Sequence, residues 1–273
     1  MRQANLGNVA VSRLCVGGNP FSGFSHQGKP RNAEMLDWFT PERIHETLRA
    51  AEALGINTLF ARTDDHIFSV LREYWGKGGT IQWFAQVCPD DSGPDSWKRW
   101  LSGAADLGAV GLYIHGGVAD HWHAQGRFDR FHEALDLMRN RGRLAGFAGH
   151  RPVVHEWING NLSPDFQMCS YYNPTDRAQS PEHRSEGEKW DPADRDAMLR
   201  AIAPLPRPVV HYKVFGGGNR PIQEAFEVMG RAMRPNDVAC IGVFPKDDPD
   251  MLAKDVALFE RRVERDASGS GRG

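Results

Sequence analysis

Thr40-Pro41-Glu42-Arg43-Ile44-His45-Glu46-Thr47-Leu48-Arg49-Ala50-Ala51-Glu52-Ala53-Leu54-Gly55-Ile56-Asn57-Thr58-Leu59-Phe60-Ala61 reads as one helix followed by one strand. Thr40 can cap the helix, Pro41 suits its first position because no N–H is needed there, and Gly55 ends it. The short apolar run 57–61 follows at once. Outward from this unit the same alternation continues in both directions. Strands are expected at 12–16, 57–61, 81–87, 110–115, 144–148, 166–170, 208–214 and 238–243. Helices are expected at 41–54, 67–75, 96–107, 127–141, 193–203, 221–233 and 251–265, with a short, weakly marked one after the fifth strand. Alternating βα units build a parallel sheet, and eight of them close into an α/β (β/α)8 TIM barrel. The barrel is expected to be a single domain over 1–265, with a Gly/Ser-rich tail, 266–273, expected to be disordered. Two insertions, 21–38 and 175–191, follow strand C-termini, where barrel enzymes keep their active-site loops.

Composition narrows the partners. The 273 residues carry 33 Lys and Arg against 35 Asp and Glu, a balance that gives no electrostatic reason to expect a nucleic acid or an anionic membrane. A small-molecule substrate is the expected partner, and the oligomeric state is not readable. Met1 to Leu14 has no apolar core of the kind a secretory signal needs, and no run approaches the ~20 apolar residues of a membrane span. A cytoplasmic protein is expected. Cys15, Cys88, Cys169 and Cys240 form no CxxC pair and sit in or just after apolar runs, so they are expected to be reduced and to line the barrel.

Several stretches resemble the aldo-keto reductase family in order and spacing across nearly the whole chain. Leu6-Gly7 followed by Val11-Ser12-Arg13-Leu14-Cys15-Val16-Gly17-Gly18 resembles that family's first hairpin and strand, and Ala53-Leu54-Gly55-Ile56-Asn57-Thr58 its entry to the second strand. Val110-Gly111-Leu112-Tyr113-Ile114-His115 resembles its fourth strand, Tyr172-Asn173 the end of its sixth, and Lys213-Val214-Phe215-Gly216-Gly217-Gly218 the glycine-rich turn after its seventh. The resemblance implies NADPH-dependent carbonyl reduction by an Asp, Tyr, Lys and His tetrad with tyrosine as proton donor. Carried across, Phe60 falls at the aspartate, Asp65 or a neighbour at the tyrosine and Gln86 at the lysine; His115 alone survives. Gly149-His150 and Cys169 replace cofactor contacts, and Pro245-Lys246-Asp247-Asp248-Pro249-Asp250 puts three aspartates where the resemblance expects cations for a phosphate. A retained NADP(H) site is therefore not expected.

The strand ends still carry many polar groups, which points to a working site. Candidate catalytic residues are Asp65, His66, His115, His150 and Lys213; candidate substrate-binding residues are Asn19, Arg62, Asp64, Gln86, Tyr172 and Asn173. Asp64 or Asp65 can instead cap the following helix, with Arg62 paired to them. His155 is expected at the surface, and His121 and His123 on a solvated loop. His211 and Lys213 share parity and are expected to point into the barrel, leaving Tyr212 and Val214 toward the helices. Lys213 is a candidate Schiff-base lysine, while His66, His115 and His150 with Asp64 or Asp65 are candidate ligands for a divalent metal. The expected chemistry is non-redox, by a lyase or isomerase acting on a sugar or keto-sugar derivative, with His115 and His150 as acid and base. A divergent NAD(P)H-dependent oxidoreductase is the first alternative, and a non-catalytic ligand-binding barrel the second.

Overall fold

A computed structural model describes residues 1–173 and 190–264. The insertion read at 175–191 lies outside the described residues except for its last two, and so does the tail 266–273. The chain opens with an antiparallel hairpin, β1 (Gln3–Leu6) and β2 (Val9–Ser12). Eight parallel strands follow: β3 (Leu14–Gly17), β4 (Thr58–Arg62), β5 (Gln82–Val87), β6 (Gly111–Ile114), β7 (Leu144–Gly149), β8 (Phe166–Ser170), β9 (Val209–Tyr212) and β10 (Val238–Ile241). They pair in sequence order, and β10 returns to β3 to close the barrel. The (β/α)8 architecture expected from the alternation is the one observed.

Helices α1 (Lys29–Trp38), α2 (Pro41–Ala53), α3 (Asp65–Gly76), α4 (Trp97–Leu107), α5 (Gly116–Ala124), α6 (Phe128–Asn140), α7 (Pro152–Asn161), α8 (Pro192–Ile202), α9 (Ile222–Ala232) and α10 (Met251–Phe259) surround the strands. Thr40 caps α2 as its sequence suggests, its hydroxyl accepting from the Arg43 N–H at 3.4 Å. Two helices stand where none was expected. The first insertion holds α1, and α5 replaces the solvated loop read at His121 and His123. Among the described residues no helix is long and apolar enough to cross a membrane.

Strand parity divides the core in two. On β4, Leu59 and Ala61 pack outward against the helices and Phe60 points inward, as the two-residue period of a strand requires. Phe60, Phe84, Tyr113 and Phe166 fill the barrel, with Phe60 stacked on Phe84 at 4.9 Å between ring centroids. Each such ring contributes roughly 1.5–3 kcal/mol by leaving water. Ala4, Leu6 and Val11 of the hairpin join the same interior cluster. The hairpin lies across the strand N-termini, where Asn57 Nδ2 and Gln82 Nε2 both donate to the Ala10 carbonyl, at 3.1 and 2.8 Å.

The same parity corrects two expectations. Tyr212 and Val210 face the barrel interior, whereas His211 is fully buried on the outer side, between the Tyr171 hydroxyl and Asp237, both at 3.2 Å. Lys213 breaks the alternation because its backbone is left-handed, with φ of 54°. The four thiols are unpaired, but only Cys15 and Cys240 belong to the interior cluster; Cys169 packs outward under α8.

Candidate active site

A cavity of about 440 Å³ opens at the C-terminal ends of the strands. Its floor is Phe60, Gln86, Tyr113, Met168 and Tyr212, and it runs outward between the turn after β9 and the start of α10. The first insertion roofs it. Phe24, His26, Gln27 and Arg31 line the cavity from above, and three contacts hold them down. Gln27 Nε2 donates to the Gly217 carbonyl at 2.7 Å, His26 Nε2 meets Lys213 Nζ at 2.6 Å, and Arg31 pairs with Asp247.

Beneath the floor, three residues far apart in sequence form a buried chain of hydrogen bonds. Asp120 is wholly buried, His150 is 3 % exposed, and Tyr212 is 8 % exposed on the cavity side. The carboxylate of Asp120 accepts from the His150 backbone N–H, at 3.1 and 3.2 Å to its two oxygens, and lies 2.8 Å from His150 Nδ1. A carboxylate can only accept, so Nδ1 carries the hydrogen. In the neutral ring Nε2 is then an acceptor facing the Tyr212 hydroxyl at 3.2 Å. That hydroxyl also lies 3.3 Å from the Gly149 carbonyl. The arrangement can pass a proton between Tyr212 and His150, with Asp120 placed to stabilise the imidazolium, the division of labour of an Asp–His dyad behind a hydroxyl.

Local sequence explains why these side chains can approach. A Cβ at Gly116 would fall 2.7 Å from both His150 Cε1 and the Tyr212 hydroxyl, and one at Gly149 would fall 2.8 Å from His155 Nε2. Helix α5 therefore starts on Gly116-Gly117, tight against β7, and presents Asp120 inward together with Ala119 and Trp122. His121 and His123 fall on its outer side, with His123 packed on Phe128 and Trp157. His155, expected at the surface, is fully buried, its Nδ1 2.8 Å from Gln167 Oε1.

The residues singled out from sequence separate into groups. Asn19, Gln86 and Lys213 line the cavity, and His150 reaches it through Tyr212. Asp64 caps α3, accepting from the Ile67 N–H at 2.7 Å and from the Ser22 hydroxyl at 3.1 Å. Arg62 pairs with Asp64 at 3.2 Å and lies 4.4 Å over the Phe24 ring, so both residues hold the roof rather than the floor. Asp65 and His66 are exposed on the first turn of α3. His115 stands half-buried at the N-cap of α5, away from the cavity lining. Tyr172 packs on Trp190, and the Asn173 N–H donates to Asp194 at 3.1 Å. Among the described residues no three His, Cys, Asp or Glu side chains gather as metal ligands, so the proposed histidine cluster does not assemble there. Asp120 and Tyr212 were missed; the sequence signals for them are the glycine pair that opens α5 and the glycine before His150.

No family model and no curated protein matches the chain. Among solved structures it is similar to PA4992 of Pseudomonas aeruginosa, a protein assigned as an aldo-keto reductase, at 17% identity over 95% of each chain with a TM-score of 0.63. It is also similar to the aldo-keto reductase AKR11C1 of Bacillus halodurans in its holo form, at 14% identity over 97% of this chain and 95% of that one, TM-score 0.58. A third is Gox0644, solved as a D53A mutant with NADPH, at 12% identity over 93% and 90%, TM-score 0.54. At these identities the likeness is one of fold: the chain is a closed (β/α)8 barrel, similar in fold to these aldo-keto reductase structures.

Proposed function

We propose that this protein is an oxidoreductase acting on the carbonyl or hydroxyl group of a small polar molecule, with Tyr212 as its proton donor and acceptor. The observation that carries the reading is the Tyr212–His150–Asp120 chain opening into the cavity floor. With Lys213 Nζ 5.7 Å from the Tyr212 ring, the same four residue types that the aldo-keto reductase resemblance calls for, Asp, Tyr, Lys and His, meet again from other positions, three at strand ends and Asp120 on α5. Asn19 and Gln86, on the cavity wall, are the proposed contacts for substrate oxygens.

The cavity also suits a nicotinamide dinucleotide in shape. It runs from the floor to the rim beside Gly217 and Gly218, which have positive φ, and past Arg31 and Arg220, the guanidinium groups that would meet its phosphates. Asp255 at the same rim is pushed up to about 7 by burial and by Asp248, so near neutrality it carries only part of a full negative charge. Of the aspartates after β10, Asp247 is engaged by Arg31 and Asp248 by Lys254, which weakens the repulsion expected from their charge. Such a dinucleotide would supply or take up hydride; Tyr212 would supply or take up the proton.

Loss of the familiar tetrad favours a second reading. Phe60 in the stacked interior and Gln86 in place of lysine leave proton transfer as the remaining chemistry, as in a lyase or isomerase working on a keto-sugar through Tyr212. Titrating NADH and NADPH against the protein's tryptophan fluorescence separates the two. Trp190 lies 3.2 Å from the position of a Cβ on Gly217 and should report occupancy of the rim. Saturable quenching by either nucleotide supports the oxidoreductase; none at near-millimolar nucleotide leaves the proton-transfer enzyme.

A further inference from the structure

We propose that Lys213 captures the carbonyl carbon of a small aldehyde or ketone as an imine, with His26 carrying the protons. This goes beyond the oxidoreductase reading, because the step needs no nicotinamide.

Lys213 Nζ and His26 Nε2 lie 2.6 Å apart, and both residues line the cavity. A contact of that length is a hydrogen bond with one hydrogen between two nitrogens. Either the lysine nitrogen donates to a neutral imidazole or an uncharged amine accepts from the imidazole N–H, so the pair holds at most one positive charge. The second arrangement leaves the amine its lone pair, the form that attacks a carbonyl. Phe215, Phe244 and Tyr212 are part of the same lining, with Lys213 Nζ 5.7 Å from the centre of the Tyr212 ring.

The backbone supports a built site. Among the described residues, His26, Lys213 and Trp190 are the non-glycine residues with positive φ, at 61°, 54° and 66°. They meet at one place: His26 bonds Lys213, its ring centroid is 6.0 Å from that of Trp190, and His26 Cβ and the Trp190 ring both border Gly217. A left-handed backbone is strained at a non-glycine residue, and such strain persists where the surrounding structure enforces a particular side-chain placement. Here the placement brings an amine to an imidazole over a cavity that already holds a proton donor in Tyr212.

The step balances without a further reagent. The Lys213 amine adds to the carbonyl carbon, forming the C–N bond, and the carbonyl oxygen becomes a hydroxyl by taking up the proton that the nitrogen releases. His26 protonates that hydroxyl, which leaves as water, and recovers its proton from the nitrogen as the C=N bond forms.

The test uses the full chain, glycolaldehyde as probe and cyanoborohydride to fix any imine, with no nucleotide present and labelling followed by peptide mass mapping. Lys213 is expected to be labelled at least about tenfold faster than Lys77, whose side chain is 57% exposed. His26→Gln is expected to slow Lys213 labelling by about tenfold and leave Lys77 unchanged. Labelling of Lys213 no faster than Lys77 overturns the proposal, as does an unchanged rate in a folded His26→Gln variant. Should that variant fail to fold, the wild-type ratio of Lys213 to Lys77 decides alone. A negative nucleotide titration leaves this result untouched, and the converse holds, so the two readings fail separately.

Discussion

Asp255 gives a prediction whose size follows from the structure. The residue sits on α10, 3 % exposed, and burial with the nearby charge of Asp248 pushes its carboxyl from 3.8 up to about 7. The unfolded chain releases this proton near pH 4, whereas the folded protein keeps it until about pH 7. Between those values the folded state binds the extra proton, so stability falls as pH rises through the window and levels off above it. At about 1.4 kcal/mol per pH unit the penalty is roughly 1.6 kcal/mol at pH 5 and roughly 4 kcal/mol by pH 9. Asp255→Asn has no charge to bury and escapes both, so its advantage over wild type should grow by about 2–3 kcal/mol between the two pH values. Thermal melts at pH 5, 6, 7, 8 and 9 should show the gap in Tm widening by about 5–8 °C for a chain of this size. Asp248→Asn should move the midpoint of the widening to lower pH. A shift in Tm that is the same at pH 5 and pH 9 would refute the reasoning, because a change in packing alone does not titrate.

The remaining predictions concern the buried networks. Tyr212→Phe removes only the hydroxyl that faces His150, so turnover of any carbonyl or alcohol substrate should drop at least about 100-fold while the melting curve stays within a few degrees of wild type; full activity in the variant would remove Tyr212 from the chemistry. Gly116→Ala inserts a methyl 2.7 Å from His150 and the Tyr212 hydroxyl, and should cut kcat with little change in KM, as measured by steady-state kinetics on the same substrate. In the outer network, burial opposes the charge of Asp237, but hydrogen bonds from His211 and Arg234 outweigh it and hold the carboxyl well below its usual range. Its contribution is therefore present above about pH 4 and is lost as acid reaches the folded carboxylate. Asp237→Ala should cost about 3–5 kcal/mol in denaturant unfolding at pH 7 and leave activity per folded molecule unchanged.

Local rules were legible and long-range ones were not. Thr40, Pro41 and Gly55 announce α2 because capping needs only neighbours in sequence, and Asp64 caps α3 for the same reason. Eight strands followed from alternation, and closure followed from their number. The Tyr212–His150–Asp120 chain depends instead on two strand ends and helix α5 meeting in space, and two features hid it. Lys213 takes a left-handed backbone, so extending strand parity from it placed His211 and Tyr212 on the wrong faces. Asp120 directly precedes His121 and His123, in a stretch that reads as a solvated loop, on a helix that opens with two glycines of poor helical propensity. Asp65, His66 and His115 carried the right chemistry for a site, yet α3 turns the first two to solvent and the α5 N-cap keeps the third off the cavity lining.

The hairpin below the barrel sets how traffic through the cavity must run. Ala4, Leu6 and Val11 close the end opposite the cavity, and the ring layer of Phe60, Phe84, Tyr113 and Phe166 blocks the axis above them. The barrel is thus a cup with one lip. Among the described residues, whatever enters past the roof formed by residues 21–38 must leave the same way. Product and substrate therefore compete for one opening, and the contacts of His26, Gln27 and Arg31 across that opening are placed to set the rate at which the cup empties.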